Sequence, residues 1–394
     1  MEAFYPFFLA LFAGVFFSIV SRRIHIPWVI ALILGGIVLG PNVLDWLETN
    51  ETIDFIAQIG LIFLMFMAGL ETRLADGEAF QGKLLLLATI NGLVPFGVGF
   101  GIGVMLNYGF LTALILGVVF TSSSIAVVIP ALERQNLLGT QLGQSIVITT
   151  VLQDIASLIA LSLILQNIDP ITSLPLYIFY PVVIVTLVAL KFFIPKIRRF
   201  FLEAIRTSPD LFQLEFRSTL LILIDTVIIF ELLGLHPIIA GFFSGLILSG
   251  TIHDSALKEK IRTISYGVFI PTFFIVMGLQ TDISVFFQST DAIAVVLIIV
   301  CGSVLSKLSS GWLGGRLGGF SNSESFLFAS TSIPQLTTTL ATAFTAFSFG
   351  LIDETLLTAL VALSVVTVLL SPMFMNYFNP NAEQTLDVPE GNKA

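Results

Sequence analysis

The sequence predicts an all-α polytopic membrane protein of about thirteen transmembrane helices, built as an inverted repeat. Three observations carry this prediction: a composition too apolar for a soluble domain, apolar runs about one bilayer long, and a self-similarity whose copies lie an odd number of spans apart. Of 394 residues, 56% are hydrophobic and 11% charged, against about a quarter charged in soluble domains. There are 37 Phe, and the apolar runs approach the roughly 20 residues that cross a bilayer core. In such a chain the net charge of −9 matters for which side each loop faces, and no nucleic-acid partner is expected. The single cysteine, Cys301, lies in an apolar run, which excludes an intrachain disulfide and a cysteine metal site.

In chain order the spans fall near 4–22, 27–41, 53–70, 83–106, 110–132, 142–166, 174–195, 214–233, 236–250, 264–280, 291–313, 325–349 and 354–378. The first, in "MEAFYPFFLALFAGVFFSIVSRR", has no basic n-region and no small-residue cleavage site, so it reads as a spanning helix and not a cleaved signal. Two spans are short, and several carry Gly or Pro. Alternate loops differ in charge. With the N-terminus outside, the inner loops hold Arg22, Arg23, Arg73, Lys83, Arg134, Lys191, Lys196, Arg198, Arg199, Arg206, Arg217, Lys258, Lys260, Arg262, Arg316 and the tail residue Lys393. The outer loops hold no Lys or Arg, only acids such as Asp45, Glu48, Glu51, Asp169, Asp291 and Asp353. Positive-inside bias then predicts an outside N-terminus and a cytoplasmic C-terminus. Of the 17 basic residues only Lys307 is left over, within the eleventh span.

The chain resembles itself at an offset of about 210. "PWVIALILGGIVLG" from Pro27 matches "PIIAGFFSGLILSG" from Pro237, so that Gly35 and Gly40 fall on Gly245 and Gly250; "MAGLET" matches "VMGLQT", and "TSSS" at Thr121 matches "TSIP" at Thr331. The paired spans are two with nine, three with ten, and five with twelve. Each pair is seven spans apart, so the second copy enters from the opposite side, a pattern of secondary transporters. The expected organisation is a first repeat at 1–170 (spans one to six), a linker span and basic inner loop at 171–212, a second repeat at 213–378 (spans eight to thirteen), and a short cytoplasmic tail at 379–394.

A charge at the bilayer centre costs several kcal/mol, so intramembrane charges are usually paired or functional. Asp154 sits mid-span in "TTVLQDIASLIALSLIL", preceded by Gln153. Lys307 sits in the eleventh span; its structural alternative is a side chain snorkelling to the inner interface. Asp225, in "LLILIDTVIIF", is a secondary candidate, with a protonated acid bonded to a neighbouring hydroxyl as the alternative. Spans five and twelve read "VVFTSSSIAVVIPAL" and "ASTSIPQLTTTLATAF". Their hydroxyl clusters, with Pro130 and Pro334 nearby, predict helices broken within the membrane, whose freed backbone groups can line an ion site. The alternative is Ser and Thr bonding back to the preceding turn of an unbroken helix. Glu231 lies near a helix end, and His25, His236 and His253 lie at ends or in loops, so no metal constellation and no cofactor are expected.

Together "LILGGIVLGP", "GLIFLMFMAGLET", "TSSSIAVVIPALERQNLLGTQLGQ", "LQDIASLIAL" and "FFIVMGLQTD" resemble the monovalent cation:proton antiporter family 2, which includes the Kef-type potassium/proton exchangers and bacterial sodium/proton exchangers of the same fold. The resemblance runs from about residue 5 to 378. It implies a dimerisation domain of spans one to three and eight to ten, a core domain of spans four to six and eleven to thirteen, and crossing, unwound spans five and twelve. It also implies a homodimer surrounded by membrane lipid in a bacterial inner membrane. Asp154 matches the family's ion- and proton-binding carboxylate, Ser124 the hydroxyl position of unwound span five, with Ser123 and Thr121 beside it, and Lys307 the core lysine. Many sodium exchangers carry two aspartates where this chain has Gln153–Asp154, the Kef-type arrangement, which implies K⁺ as the exchanged cation with Na⁺ as the alternative. Two features depart from the family. Span twelve has Gln335 and Thr337 but no acid, and the chain carries no soluble nucleotide-binding regulatory domain.

The implied mechanism is exchange, not enzymatic chemistry: Asp154 holds a proton or a dehydrated monovalent cation, but not both. Two rivals come from other classes. An intramembrane aspartyl protease needs two aspartates, and Asp154 and Asp225 qualify by location, but the Gly-x-Gly-Asp context is absent. A cation channel needs a filter loop rich in carbonyls, and none is evident.

Overall fold

A computed structural model describes residues 4–24, 26–41, 43–71, 82–168, 176–205, 211–233, 237–250, 252, 255–281 and 290–378. The expected tail 379–394 and the residues His25, Arg73, Asp169, Arg206, His236, His253 and Lys393 lie outside the described residues. All regular structure among the described residues is helical: α1 Phe4–Ile24, α2 Trp28–Leu39, α3 Glu51–Glu71, α4 Gly82–Met105, α5 Phe110–Thr121, α6 Ile125–Arg134, α7 Gln141–Ile168, α8 Leu176–Ile205, α9 Leu211–Leu232, α10 Pro237–Ser249, α11 Ser255–Ile264, α12 Ile270–Leu279, α13 Thr290–Gly318, α14 Asn322–Ser332, α15 Thr337–Ser348 and α16 Glu354–Phe378. A five-residue π-helical segment, Ser265–Phe269, joins α11 to α12 in one rod. Among the described residues eight rods are long and apolar enough to cross a membrane, and two apolar helices, within α2 and α10, are shorter.

Helix ends follow local chemistry. Ser321 and Glu324 form a reciprocal capping box at the start of α14. Asp353 accepts from the Leu356 N–H as α16 begins, and Asn50 accepts from the Ile53 N–H as α3 begins. Two stretches break in mid-course. Residues 122–124 are extended between α5 and α6, and residues 333–336 separate α14 from α15. Pro334 lies in the second break. Its missing N–H removes the i+4 donor of the Ser330 carbonyl, which instead accepts from Ser371 Oγ at 3.0 Å and from the Ile333 N–H at 3.4 Å. Pro130, by contrast, falls inside α6; the first break sits at the serine run itself.

The chain divides into two compact units, one drawn from Met1–Arg73 and Leu158–Ser284, the other from Leu74–Ser157 and Val285–Ala394. In the first unit, α2 packs along α12 and α3 along α10, and glycines let the backbones touch. A methyl group on Gly36 would collide with the Ile275 carbonyl, and one on Gly278 with the Ile33 carbonyl. On the other pair, Gly245 meets the Phe66 carbonyl and Gly69 the Phe242 carbonyl in the same way. Membrane helices gain little from burying apolar surface against one another, so close packing of small residues does this work. In the second unit, α4 packs on α5 and α13, and α13 on α14 and α16. Gly99 and Gly103 of α4 lie against Leu116 and Ala113, while Gly311 and Gly315 of α13 lie against Ala329 and Ser325. Leu87, Leu132, Ile146, Leu327, Phe328 and Met375 form an apolar cluster beside the broken helices.

Candidate functional site

The two breaks meet in the second unit. The Ser124 N–H donates to the Pro334 carbonyl at 2.7 Å, and the hydroxyls of Ser122 and Thr339 are 2.9 Å apart. A backbone bond therefore joins the two interruptions, and a side-chain bond ties the first of them to α15. Breaking a helix exposes its last carbonyls, which carry the negative end of the helix dipole. Here α5 presents the Thr121 carbonyl to Lys307, whose Nζ donates to it at 2.7 Å and to Ser123 Oγ at 3.0 Å. Lys307 is fully buried, so the snorkelling alternative does not apply.

Asp154, on α7, is 1% exposed. The Thr338 hydroxyl, in the first turn of α15, and the Ser123 backbone N–H act on its carboxylate, and Lys307 acts on it through space. Asp154 and Lys307 do not form a direct salt bridge: among the described residues the one ion pair within 4.0 Å joins Arg198 to Glu215. Asp154 Oδ1 has no hydrogen-bond partner. A buried carboxylate oxygen without a donor is expensive to keep, and it can be relieved by binding a proton or a cation.

Gln153 accepts from Ser123 Oγ at 3.3 Å, while the shorter bond from that hydroxyl, 2.9 Å, goes to the Ser332 carbonyl. Gln335 reaches across to α13, donating from Nε2 to Ser303 Oγ at 2.9 Å, and its backbone N–H donates to Thr367 Oγ1. Its Oε1, Gln153 Nε2 and Ser124 Oγ are buried without partners. The structure thus gathers Asp154, Gln153, Ser123, Ser124, Thr121, Lys307 and Gln335 at one place. Thr337 is buried at the start of α15, but its neighbour Thr338 is the residue that acts on Asp154.

Asp225 is not part of this cluster. It lies on α9 in the first unit and faces outward, with no hydrogen bond or ion pair among the described residues, so the expected hydroxyl partner is absent there. Asp225→Asn is therefore expected to keep more than about half of the wild-type transport rate in proteoliposomes. Complete loss would move the site assignment to α9.

The sequence reading missed Asn91. This residue of α4 is 1% exposed, donates from Nδ2 to Ser332 Oγ at 2.8 Å, and accepts at Oδ1 from Ser310 Oγ at 2.9 Å. It ties the end of α14 to α13, one turn from Lys307. An amide in the middle of "LLLLATINGLVPF" is visible by the same logic that exposes Asp154.

The sequence profile of the family described as "Sodium/hydrogen exchanger, transmembrane" matches residues 7–376. A Methanocaldococcus jannaschii protein named "Probable Na(+)/H(+) antiporter 3" is 29% identical over 385 residues, covering 96% of this chain and 97% of its own length. The Bacillus cereus protein named "Na(+)/H(+)-K(+) antiporter GerN" is 27% identical over 380 residues, covering 95% and 96%. Among solved structures, the sodium proton antiporter MjNhaP1 from Methanocaldococcus jannaschii shares the fold, with a TM-score of 0.73, 18% identity and 98% of each chain covered.

Proposed function

The chain belongs to the sodium/hydrogen exchanger family, and from that premise we propose that it exchanges a monovalent cation for protons across the membrane, with both competing for Asp154. The observation that carries this reading is the buried carboxylate with an unpartnered oxygen at the meeting of two broken helices. A proton satisfies that oxygen directly. A dehydrated cation does so with further oxygens, and the residues to supply them are Thr338, Ser123 and Ser124. Lys307 is anchored on the Thr121 carbonyl, so its charge lies near the site without occupying the carboxylate. A carrier that is costly to move with Asp154 empty and ionised exchanges obligatorily, and alternating access comes from motion of the unit that holds the site. Family membership argues against the protease and channel alternatives.

The cation is the finer question. Gln153–Asp154 favours K⁺, whereas the relatives' names weigh toward Na⁺. Purified protein in proteoliposomes with an internal pH dye, given outward Na⁺ or K⁺ gradients, is expected to acidify the lumen in step with at least one of them. No proton movement under either gradient would refute exchange, and a response to Na⁺ alone would refute the K⁺ preference.

The thirteen-span inverted repeat is part of the same proposal, and the glycine contacts support it. Gly36 with Ile275 and Ile33 with Gly278 map onto Gly245 with Phe66 and Phe242 with Gly69 through the single offset of 209 residues. Gly103 on Ala113 and Gly315 on Ser325 repeat in the second unit at an offset of 212. The protein is an integral membrane protein; we place its N-terminus outside, from the charge asymmetry. Cysteines at Asp45 and Asp353 are then expected to react with an impermeant thiol reagent from outside intact cells, and cysteines at Arg22 and Lys258 only after permeabilisation. Reversal at any of these positions would overturn the topology. A homodimer is proposed through the first unit, whose α1 exposes a stacked row of Phe8, Phe12 and Phe16.

A further inference from the structure

Asn91 takes no part in the exchange cycle proposed above, yet it is built into the site at both of its ends. Among the described residues of the second unit three side-chain amides are buried: Asn91, Gln153 and Gln335. Gln153 and Gln335 each leave one atom without a partner, as suits groups that meet a ligand. Asn91 instead donates to Ser332 Oγ at 2.8 Å and accepts from Ser310 Oγ at 2.9 Å. Its orientation is fixed chemically: Ser332 Oγ commits its one hydrogen to the Phe328 carbonyl at 3.0 Å and so can only accept from the amide.

These bonds close a ring. Lys307 Nζ donates to Ser123 Oγ, which donates to the Ser332 carbonyl; the Ser332 hydroxyl accepts from Asn91, and Asn91 accepts from Ser310 Oγ, which lies 3.3 Å from the Lys307 carbonyl. The ring runs through the break after α5, the end of α14, α4 and α13, and every member is buried. Beside Asn91, a methyl group on Gly92 would lie within 4 Å of Thr121 and Gln153, so this turn of α4 passes directly against the site. Lys307 is the flexible member, an ammonium on a four-carbon stem. Asp154 attracts it through space, but no salt bridge joins them. The ammonium stays on the Thr121 carbonyl and Ser123 only while α13 keeps its position relative to the two breaks, and Asn91 braces α13 against the second of them.

We propose that Asn91 is a positioning residue for cation binding: it holds Lys307 off the Asp154 carboxylate and so leaves that carboxylate open to the transported cation. The inference rests on the exchange reading of the site. Without the amide, α13 and the end of α14 lose their shared brace, Lys307 reaches Asp154, and a cation must displace an ammonium to bind. Removing Asn91 leaves neither hydroxyl without an acceptor, since Ser332 keeps the Phe328 carbonyl and Ser310 the Lys307 carbonyl. The fold therefore tolerates the change. Network residues that do not touch a ligand shift its affinity by roughly two- to thirtyfold.

Detergent-purified protein is melted across titrations of Na⁺ and of K⁺, with choline as the inert counterpart. The cation concentration giving half of the melting shift is compared with the KM and kcat of exchange in proteoliposomes. Asn91→Leu is expected to raise both that midpoint and the KM about tenfold, while kcat falls less than about threefold. Ser310→Ala cuts the same link from α13 and is expected to act in the same direction should Asn91→Leu fail to fold. Ser371→Ala removes a buried bond to the same break outside the ring, and it should move the midpoint by less than about twofold. In a Lys307→Met background Asn91→Leu should add nothing, an outcome that a merely structural role does not produce. An unmoved midpoint in both ring variants, or an equal rise with and without Lys307, overturns the proposal while exchange by the wild-type protein stands. Wild-type melting that responds to neither cation overturns it together with the exchange reading.

Discussion

Asp154→Asn is expected to give a folded protein that moves no protons in response to a cation gradient. The substitution keeps the shape of the side chain and removes its negative charge. The Thr338 hydroxyl and the Ser123 N–H can still donate to the amide oxygen, so the meeting of the broken helices should survive. What disappears is the oxygen that either a proton or a cation can claim. Rates should fall to the level of empty liposomes, because in the proposed exchange proton and cation compete for this carboxylate. Melting temperature should hold or rise, because an ionised, partly unpartnered carboxylate is a burden on a buried site. The pairing of those two outcomes is diagnostic: lost exchange with lowered stability would point to misfolding, and near-wild-type exchange would sink the assignment of Asp154.

Gly278→Val is expected to be among the most damaging apolar substitutions in the chain. A side chain there meets the Ile33 carbonyl and the backbone of Gly36 and Ile37, none of which can rotate away. The α2 and α12 rods would have to separate, breaking the contact along their length. Overpacking of a well-packed core by extra methylenes costs about 1–3 kcal/mol, and a collision with backbone should lie at or above the top of that range. The check is the melting temperature and monodispersity in detergent. Gly97→Val and Gly101→Val, where an added methyl meets nothing within 4 Å, supply the controls. Wild-type melting for Gly278→Val would show that the two helices are not tightly seamed.

Several parts of this arrangement were legible in the sequence because they violate its background. Asp154 and Lys307 stand out from apolar runs, and the paired hydroxyl clusters mark where helices break. Asp225 gives the same signal as Asp154, yet one lies buried among broken helices and the other faces outward on α9. A run of letters carries no helix rotation, so the two cannot be separated by pattern. Rotation also decides between Gly35 and Gly36. Matching letters pairs Gly35 with Gly245, whereas the backbone contacts pair Gly36 with it. Ser122, Ser303, Ser332 and Thr338 were hidden for another reason. Stretches rich in Ser and Thr offer many equivalent hydroxyls, and only the geometry of the breaks selects which of them face Thr339, Gln335, Asn91 and Asp154.

The glycine seams also set a timetable for biogenesis. The α2 helix meets α12, and α3 meets α10, so the partner of Gly36 emerges from the ribosome roughly 240 residues after it. At about 5–20 residues per second that is a wait of roughly 10–50 s. During the wait α2, only 12 residues long, reaches about 18 Å into a hydrocarbon layer some 30 Å thick. Lipid or the insertion machinery must shelter it until α12 arrives. A nascent chain stalled before α10 therefore displays two bare, ungasketed helix faces, a mark by which membrane quality control can tell an unfinished protein from a complete one.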